Sequence, residues 1–407
     1  MTSKNLANRR LAGWIALAAI NCAVIIPWLS GLVPQPRDFN CFYMGAQVYR
    51  HNPGHLLYDL RLQARVEHEL LGVDNNVSSK YFLPFEHPPY ELAFWLPLTA
   101  LPFHLAFWVW RLVSIGLLAV TARLLAKIPE LKRSPWAVFV ILLAFFPVAS
   151  SLMSGQDTSV TLFLFAACLS FLKTGRHVYA GLVLGLSLFK LQLVVPIIGV
   201  LLLCGFWRVL AGVACSGTAV LAISTAMVGY DGMSSLLRLW LAEGGILFCI
   251  RPAHMPNVRG LLTAISGLPP RSVTIATVIV SFLLLLLAAQ QAKAARSPER
   301  MLAICMCFVP LVSFHTNIYD LSILILPILL LLEASPELST ESRWTAMSPV
   351  FLLFCTPLYV LAAATIKIGL LAIVVGWLWY AVSYGMRERE AGSGEVLASA
   401  PGFAAGL

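Results

Sequence analysis

Long apolar runs alternate with short polar segments along most of the chain. The first run, residues 11–33, is long enough to cross a bilayer, which takes about 20 apolar residues. Further apolar spans are predicted at 91–122, 135–150, 158–173, 178–204, 209–228, 272–292, 301–314, 318–333, 347–364 and 367–384. These runs are too long for barrel strands and lack strict alternation. The pattern therefore predicts a polytopic all-α membrane protein with about 10–12 transmembrane or short broken helices.

Two polar stretches are long enough to form elements outside the membrane, residues 34–90 and residues 229–271. We interpret residues 1–386 as one integral membrane domain that includes both stretches as outer loops. Residues 387–407 are rich in Gly, Ala and Ser, and we predict that they form a disordered cytoplasmic tail.

Composition supports the membrane assignment. Hydrophobic residues make up 59% of the chain and charged residues only 12%, with a mean hydropathy of +0.82. Soluble domains carry about 25% charged residues, so this chain lacks the polar surface of a soluble globule. The net charge of +9 does not indicate nucleic-acid binding, because excess Lys and Arg in membrane proteins mark cytoplasmic loops. Nine cysteines form no CxxC pair, which gives neither a metal site nor a disulfide framework.

The distribution of Lys and Arg predicts a chain reversal at Lys190. If residues 178–204 crossed the membrane once, the later loops would place more basic residues outside than inside, against the positive-inside rule. A Lys at mid-bilayer would also cost about 3 kcal/mol or more. We therefore predict two short helices, 178–189 and 192–204, that meet at Lys190 on the outer side. Both chain termini are then cytoplasmic, and the long loop 34–90 is extracytoplasmic.

With this topology many polar residues fall at the outer ends of the helices. Asp38 follows the first span, where a carboxylate at the lipid surface can act as a general base or simply cap a helix that starts near Phe39. Tyr43 and the neighbouring Phe residues can stack on a sugar or lipid. Lys190 can bind an anionic group, or reach the interface as an ordinary snorkelling lysine.

Three further polar motifs lie on the same side, each with a structural alternative. His87, before two prolines, can bind a phosphate or sugar or can order its loop. Gln156 and Asp157 can hydrogen-bond hydroxyl groups or form a plain polar turn. His315 and Asp320 can orient a pyrophosphate or an acceptor, or can belong to a short polar loop. The segment from His55 to Asp59, by contrast, favours a structural role.

Other functional classes remain open at this point. No Walker loop, dinucleotide fingerprint, HExxH or GxSxG motif is present. A lipid or solute transporter or flippase is the main alternative to an enzyme, although no convincing inverted repeat is evident. An assembly scaffold is a second alternative.

The ordered set of motifs resembles glycosyltransferase family 87, whose members are GT-C-type membrane enzymes. The matching residues lie between about 35 and 335. They are Asp38-Phe39 with Tyr43, Leu57-Tyr58-Asp59, His87-Pro88-Pro89, Leu96-Pro97-Leu98 with Leu101-Pro102, Gly155-Gln156, Ala180-Gly181-Leu182 through Gly185 to Lys190, Asn257 with Arg259-Gly260-Leu261, and His315 with Tyr319. Two positions depart from the family pattern: Leu191 stands where Pro is usual, and Asp157 where Asn or another polar residue is common.

The resemblance implies transfer of a hexose, mannose by similarity, from a polyprenyl-phosphate donor to a lipid or glycan acceptor. It further implies an extracytoplasmic active site in a cell membrane, an inverting mechanism and Asp38 as the catalytic base. Lys190, with Arg259 and His315, would bind the donor phosphate. The remaining candidates for substrate binding are Gln156, His87, Tyr43 and Asn257. We expect no cofactor and no metal, although Asp38 with Asp157 or Asp320 offers a possible cation site, and no nucleic-acid partner.

Overall fold

The computed structural model describes residues 12–21, 23, 38–72, 82–128, 131, 133–241, 252–295, 297–365 and 367–392. These residues form helices and turns, with no strand among them, as the apolar pattern predicts. The α-helices are α1 (Ala12–Asn21), α2 (Asp38–His51), α3 (Leu60–Leu71), α4 (Leu92–Trp95), α5 (Phe103–Ala126), α6 (Pro135–Ala144), α7 (Phe146–Ser154), α8 (Thr158–Lys173), α9 (His177–Leu186), α10 (Leu191–Cys204), α11 (Trp207–Leu241), α12 (Val258–Ile265), α13 (Pro270–Lys293), α14 (Pro298–Val312), α15 (Ile325–Ala334), α16 (Thr340–Phe354), α17 (Thr356–Ala364) and α18 (Leu371–Gly392).

Within the described residues, the predicted membrane spans correspond to helices. Of the first predicted span, residues 11–33, the structure describes only 12–21 and 23, and the rest of that span lies outside the described residues. By length and composition alone, five helical segments of the described chain can cross a membrane, and two bent pairs raise that number to seven. One predicted boundary is wrong: residues 91–102 form short helical turns, and the long helix begins only at Phe103, directly after Pro102. Proline is well placed just before a helix because it has no N–H to leave unpaired.

Two of the spans are broken near their middle. α6 and α7 meet at Phe145 with a bend of 72°, and the α16–α17 pair bends by 61° at Cys355. Asn21 of α1 joins the two breaks, since its Nδ2 donates to the carbonyl of Ala144 at 2.8 Å and its Oδ1 accepts from Thr356 Oγ1 at 2.6 Å. Interrupted helices are tolerated in membranes when the freed backbone groups find partners inside the protein.

The predicted reversal at Lys190 is confirmed by the neighbours of the helices on either side of it. The helical run from His177 to Cys204 is apolar and long enough for one crossing, yet its two ends lie on the same side. Arg208 acts electrostatically on His177, and α9 runs parallel to the start of α11, with Gly181 against Val209 and Gly185 against Ser216. Because α9 and α11 point the same way, α10 between them must run back.

The reversal defines two ends of the helix bundle. Lys190 contacts Asp157 at the start of α8, whereas Lys173 at the far end of α8 forms an ion pair with Glu299 of α14. We call these the Lys190 end and the Lys173 end. Ser313, which follows α14, donates to the carbonyl of Gln192 at 2.6 Å. The C-terminal end of α14 therefore also lies at the Lys190 end.

The two predicted extramembrane stretches contain helices at the Lys190 end. In the first stretch, α2 and α3 pack around an aromatic core of Phe39, Phe42, Phe85 and Trp95. In the second, α11 continues past a kink at Gly229, whose φ of 69° lies in the left-handed region, to Leu241. The predicted disordered tail starts at residue 387, whereas α18 extends to Gly392; residues 393–407 of that tail lie outside the described chain.

Candidate active site

The ammonium group of Lys190 lies in a buried polar cluster at the reversal. Its Nζ is 2.8 Å from Oδ1 of Asp157 and 3.3 Å from Oδ1 of Asp320. The same Nζ donates to Oε1 of Gln156 at 3.2 Å and lies 5.1 Å from the centre of the Tyr319 ring. Lys190 is only 2% exposed, so its charge depends on these two buried carboxylates for compensation.

Asp38 reaches the same cluster from the start of α2. It begins α2, where an acidic residue in the first turn is favourable to the helix dipole. The side chains of Gln156 and Ser154 hydrogen-bond to it. Burial raises the pKa of Asp38 above its ordinary value of 3.8, although these two hydrogen bonds and the charge of Lys190 oppose the rise. A carboxylate with a raised pKa is better matched to accepting a proton near neutral pH.

The turn that carries Gln156 packs closely on α2. Gly155 has a φ of 75°, and a Cβ at this position would lie 2.7 Å from Cβ of Phe39 and 2.7 Å from the Phe107 ring. Glycine therefore allows both the turn and the close approach. Trp110 Nε1 donates to the carbonyl of Gln156 at 3.3 Å, which fixes the turn from the α5 side.

His87 lies beside the cluster and is paired with the carboxylate of Glu91, which is not among the predicted site residues. Nδ1 of His87 is 2.7 Å from Oε2 of Glu91, and Glu91 is fully buried. Trp95 Nε1 donates to the other oxygen of Glu91 at 3.1 Å. Burial alone would lower the pKa of His87, but the adjacent carboxylate of Glu91 raises it overall. The short contact therefore couples the protonation of His87 to that of Glu91.

Arg259 and His315 each have one polar atom without a protein partner, although Nε2 of His315 lies 3.1 Å from Nδ2 of Asn317. Nη1 of Arg259 and Nδ1 of His315 are both buried and have no hydrogen-bond partner among the described residues. The guanidinium of Arg259 lies 4.5 Å from the centre of the Phe314 ring. Burial lowers the pKa of His315 to about 4, and the positive charge of Arg259 contributes to that change. The imidazole of His315 is thus neutral at physiological pH.

Two predicted substrate-binding residues have their polar groups occupied inside the protein. Tyr43 is buried, and its hydroxyl donates to the carbonyl of Leu101 at 2.7 Å. Asn257 caps α12 by accepting from Gly260 N at 2.8 Å, and its Nδ2 donates to the carbonyl of Ser313 at 2.8 Å. The structure therefore places Tyr43 and Asn257 in the walls around the site and not among its free groups.

The motif from His55 to Asp59 has the predicted structural role. Asp59 caps α3, accepting from the backbone N–H groups of Arg61 at 2.9 Å and Leu62 at 3.0 Å. The hydroxyl of Tyr58 donates to the carbonyl of His87 at 2.7 Å. This contact holds the backbone of His87 in place.

Glu91 is the main site residue that sequence reasoning missed. It lies at the first position of a predicted apolar span, where an ionisable residue is a functional indication by default. It is also four residues after His87, a spacing that places two side chains on one face of a helical turn. Both signals were available in the sequence.

A polytopic α-helical protein with a polar site at one end of its bundle belongs to the general class of multi-pass membrane proteins. The sequence model of glycosyltransferase family 87 matches residues 85–313, more than half of the 407 residues. The chain therefore belongs to this family of membrane glycosyltransferases. The match includes His87, Gln156, Lys190, Asn257 and Arg259; Asp38 and Tyr43 precede it and His315 follows it. No curated protein and no solved structure matches the chain.

Proposed function

We propose that the protein transfers a hexose, mannose by similarity, from a polyprenyl-phosphate donor to a lipid or glycan acceptor. The observation that carries this proposal is the hydrogen-bonded path from Asp38 through Gln156 to Lys190. This path joins a carboxylate of raised pKa on the first outer helix to a cluster fixed by the reversal. Beside the cluster lie Arg259 and His315, whose Nη1 and Nδ1 atoms have no hydrogen-bond partner among the described residues.

In the proposed reaction, the acceptor hydroxyl oxygen attacks the anomeric carbon while Asp38 takes its proton. The bond from the anomeric carbon to the phosphate oxygen breaks, and the polyprenyl phosphate leaves with the electron pair. Attack opposite the leaving group inverts the anomeric configuration. Because phosphate is already a good leaving group, one base suffices, without the carboxylate pair that glycoside hydrolases use.

We assign the donor phosphate to Arg259 and His315, and we assign Lys190 a positioning role. The ammonium of Lys190 already has two carboxylate partners, so it offers little positive charge to a phosphate. Arg259 has an unsatisfied N–H group, and guanidinium matches the geometry of phosphate oxygens. A neutral His315 donates one hydrogen bond to the leaving oxygen, as in other electrostatic stabilisation of developing charge.

The test is sugar transfer by membranes that contain Asp38→Asn, assayed with a radiolabelled polyprenyl-phosphate sugar. Loss of a general base lowers rates by about 10²- to 10⁴-fold. Asp59→Asn is the matched control, because Asp59 caps α3 with an exposed carboxylate and lies outside the cluster. Full activity of Asp38→Asn would remove the base assignment, and movement of the substrate across the bilayer without transfer would indicate a transporter.

We also propose that the Lys190 end faces the extracytoplasmic side of a cell membrane, with both termini in the cytoplasm. The positive-inside rule supports this orientation. Arg61 and Arg176 are exposed at opposite ends of the bundle. In intact cells, an impermeant maleimide should label Arg61→Cys and spare Arg176→Cys, whereas the reverse pattern would invert the topology.

A further inference from the structure

His87, Glu91 and Asp157 place three potential metal ligands close together. One ligand atom from each residue lies within 4.8 Å of the other two. Two ligands that are each about 2.1 Å from a metal ion are separated by about 3–4 Å, so small rotations of the side chains complete the arrangement. From this geometry we infer that His87, Glu91 and Asp157 bind a divalent cation at the edge of the proposed active site.

The three side chains are held by contacts outside the ligand set. The backbone of His87 is fixed by Tyr58, which donates to its carbonyl at 2.7 Å. Glu91 accepts from Trp95 Nε1 at 3.1 Å through Oε1 and faces His87 with Oε2. Metal ligands in proteins are commonly oriented by outer hydrogen bonds of this kind.

Asp157 supplies the second indication of a ligand. Its side chain is 0% exposed, and Oδ2 has no hydrogen-bond partner among the described residues. The ion pair with Lys190 uses Oδ1 and is shared with Asp320. A buried carboxylate oxygen without a partner is costly, and a cation bound there would satisfy it.

The charge balance of the cluster also favours a cation. Four carboxylates interact electrostatically with one another or with the ammonium group of Lys190. They belong to Asp38, Glu91, Asp157 and Asp320. Even if a protonated His87 and the nearby Arg259 are counted with Lys190, four carboxylates face three positive charges. A donor phosphate would bring a further negative charge into this site of low dielectric, and a divalent cation would reduce the repulsion.

The ligand set indicates the kind of cation. One imidazole nitrogen and two carboxylate oxygens suit a first-row transition ion such as Mn²⁺ better than Mg²⁺, because Mg²⁺ prefers oxygen ligands and keeps several of its waters. The sequence alone predicts no metal, and the cation site that it offers, Asp38 with Asp157 or Asp320, lacks a nitrogen ligand. Binding at His87 would replace the proton shared with Glu91, since a metal-bound imidazole is neutral.

The test is Mn²⁺ binding to the purified full-length protein in detergent after treatment with EDTA, followed by electron paramagnetic resonance. We expect one bound Mn²⁺ with a ¹⁴N coupling from an imidazole in the electron spin-echo modulation. Glu91→Gln and Asp157→Asn should each weaken binding at least tenfold, and His87→Phe should abolish the ¹⁴N coupling. Asp59→Asn, an exposed carboxylate elsewhere in the outer segment, should bind Mn²⁺ like the wild type.

The inference stands partly on the proposed function, and the two fail in different ways. Absence of Mn²⁺ binding by the wild-type protein at millimolar Mn²⁺, or binding without ¹⁴N coupling, overturns the cation site whether or not a variant folds. Sugar transfer that persists in EDTA together with absent binding leaves the transferase proposal intact. Mn²⁺ binding with ¹⁴N coupling in a protein that transfers no sugar supports the cation site and removes the transferase proposal.

Discussion

The Nζ of Lys190 lies 2.8 Å from Oδ1 of Asp157, and both residues are almost completely buried. Asp157 stands directly before α8, whereas Lys190 ends the 3-10 turn at the reversal between α9 and α10. A buried pair of this kind contributes modest net stability, but removing one partner leaves an uncompensated charge. The pair therefore links the local fold of the site to its charge distribution.

Lys190→Met should destabilise the protein by about 3–5 kcal/mol, because Asp157 and Asp320 would lose their shared cation. The readout is the midpoint of thermal unfolding in detergent. Adding Asp157→Asn to Lys190→Met should recover part of the lost stability, because it removes one of the two buried carboxylates that have no cation partner. A double variant no more stable than Lys190→Met would contradict the positioning role.

The acid limb of the activity profile should report the ionisation of Asp38. Transfer requires the deprotonated carboxylate, so activity should fall as the pH drops through a pKa that burial has raised above 3.8. Gln156→Leu removes a hydrogen bond that lowers this pKa and should move the limb to higher pH. The measurement is kcat/KM for transfer as a function of pH.

Ser154→Ala provides a second variant for the same prediction. Ser154 also hydrogen-bonds to Asp38 and lowers its pKa, but it has no contact with Lys190 among those described. The acid limb of the pH profile of Ser154→Ala should shift to higher pH, as for Gln156→Leu. An unchanged limb in both variants would show that another group controls the acid side of the profile.

Arg259→Gln should weaken donor binding by about 10- to 100-fold, as expected for the loss of a hydrogen bond to a charged group. The effect should appear in KM for the polyprenyl-phosphate sugar, with a smaller effect on KM for the acceptor. His315→Phe should lower kcat more than it raises KM if the imidazole acts on the leaving oxygen. With a pKa of about 4, His315 should add no titration between pH 6 and 8.

Glu67→Gln should stabilise the protein at alkaline pH. Glu67 is 2% exposed, and burial raises its pKa from 4.5 to about 7. The folded state therefore favours the protonated acid, a contribution that is present below pH 4.5 and lost as the pH rises through about 7. The variant should unfold at a higher temperature than the wild type at pH 8.5 and at a similar temperature at pH 4.5. Equal differences at the two pH values would refute the prediction.

Sequence alone determined the membrane class, most helix positions and the reversal at Lys190. These features depend on local hydropathy, on the spacing of Lys and Arg and on the cost of a charge in a bilayer. Each of these can be evaluated from the sequence without knowing the tertiary contacts. The helix boundaries at Phe103 and Gly392 were less accurate, because short turns and polar helices give no such signal.

Only the tertiary structure decided which polar residues meet and which are used elsewhere. Lys190 and Asp320 are 130 residues apart in sequence, and their pairing depends on how α8, α10 and α14 pack. The same packing gave Tyr43 and Asn257 internal hydrogen bonds and left Arg259 and His315 with free groups. Residue type and spacing predict which chemistry a side chain is able to perform. The distances to its neighbours decide whether its polar atoms are left without a protein partner and can contact a substrate.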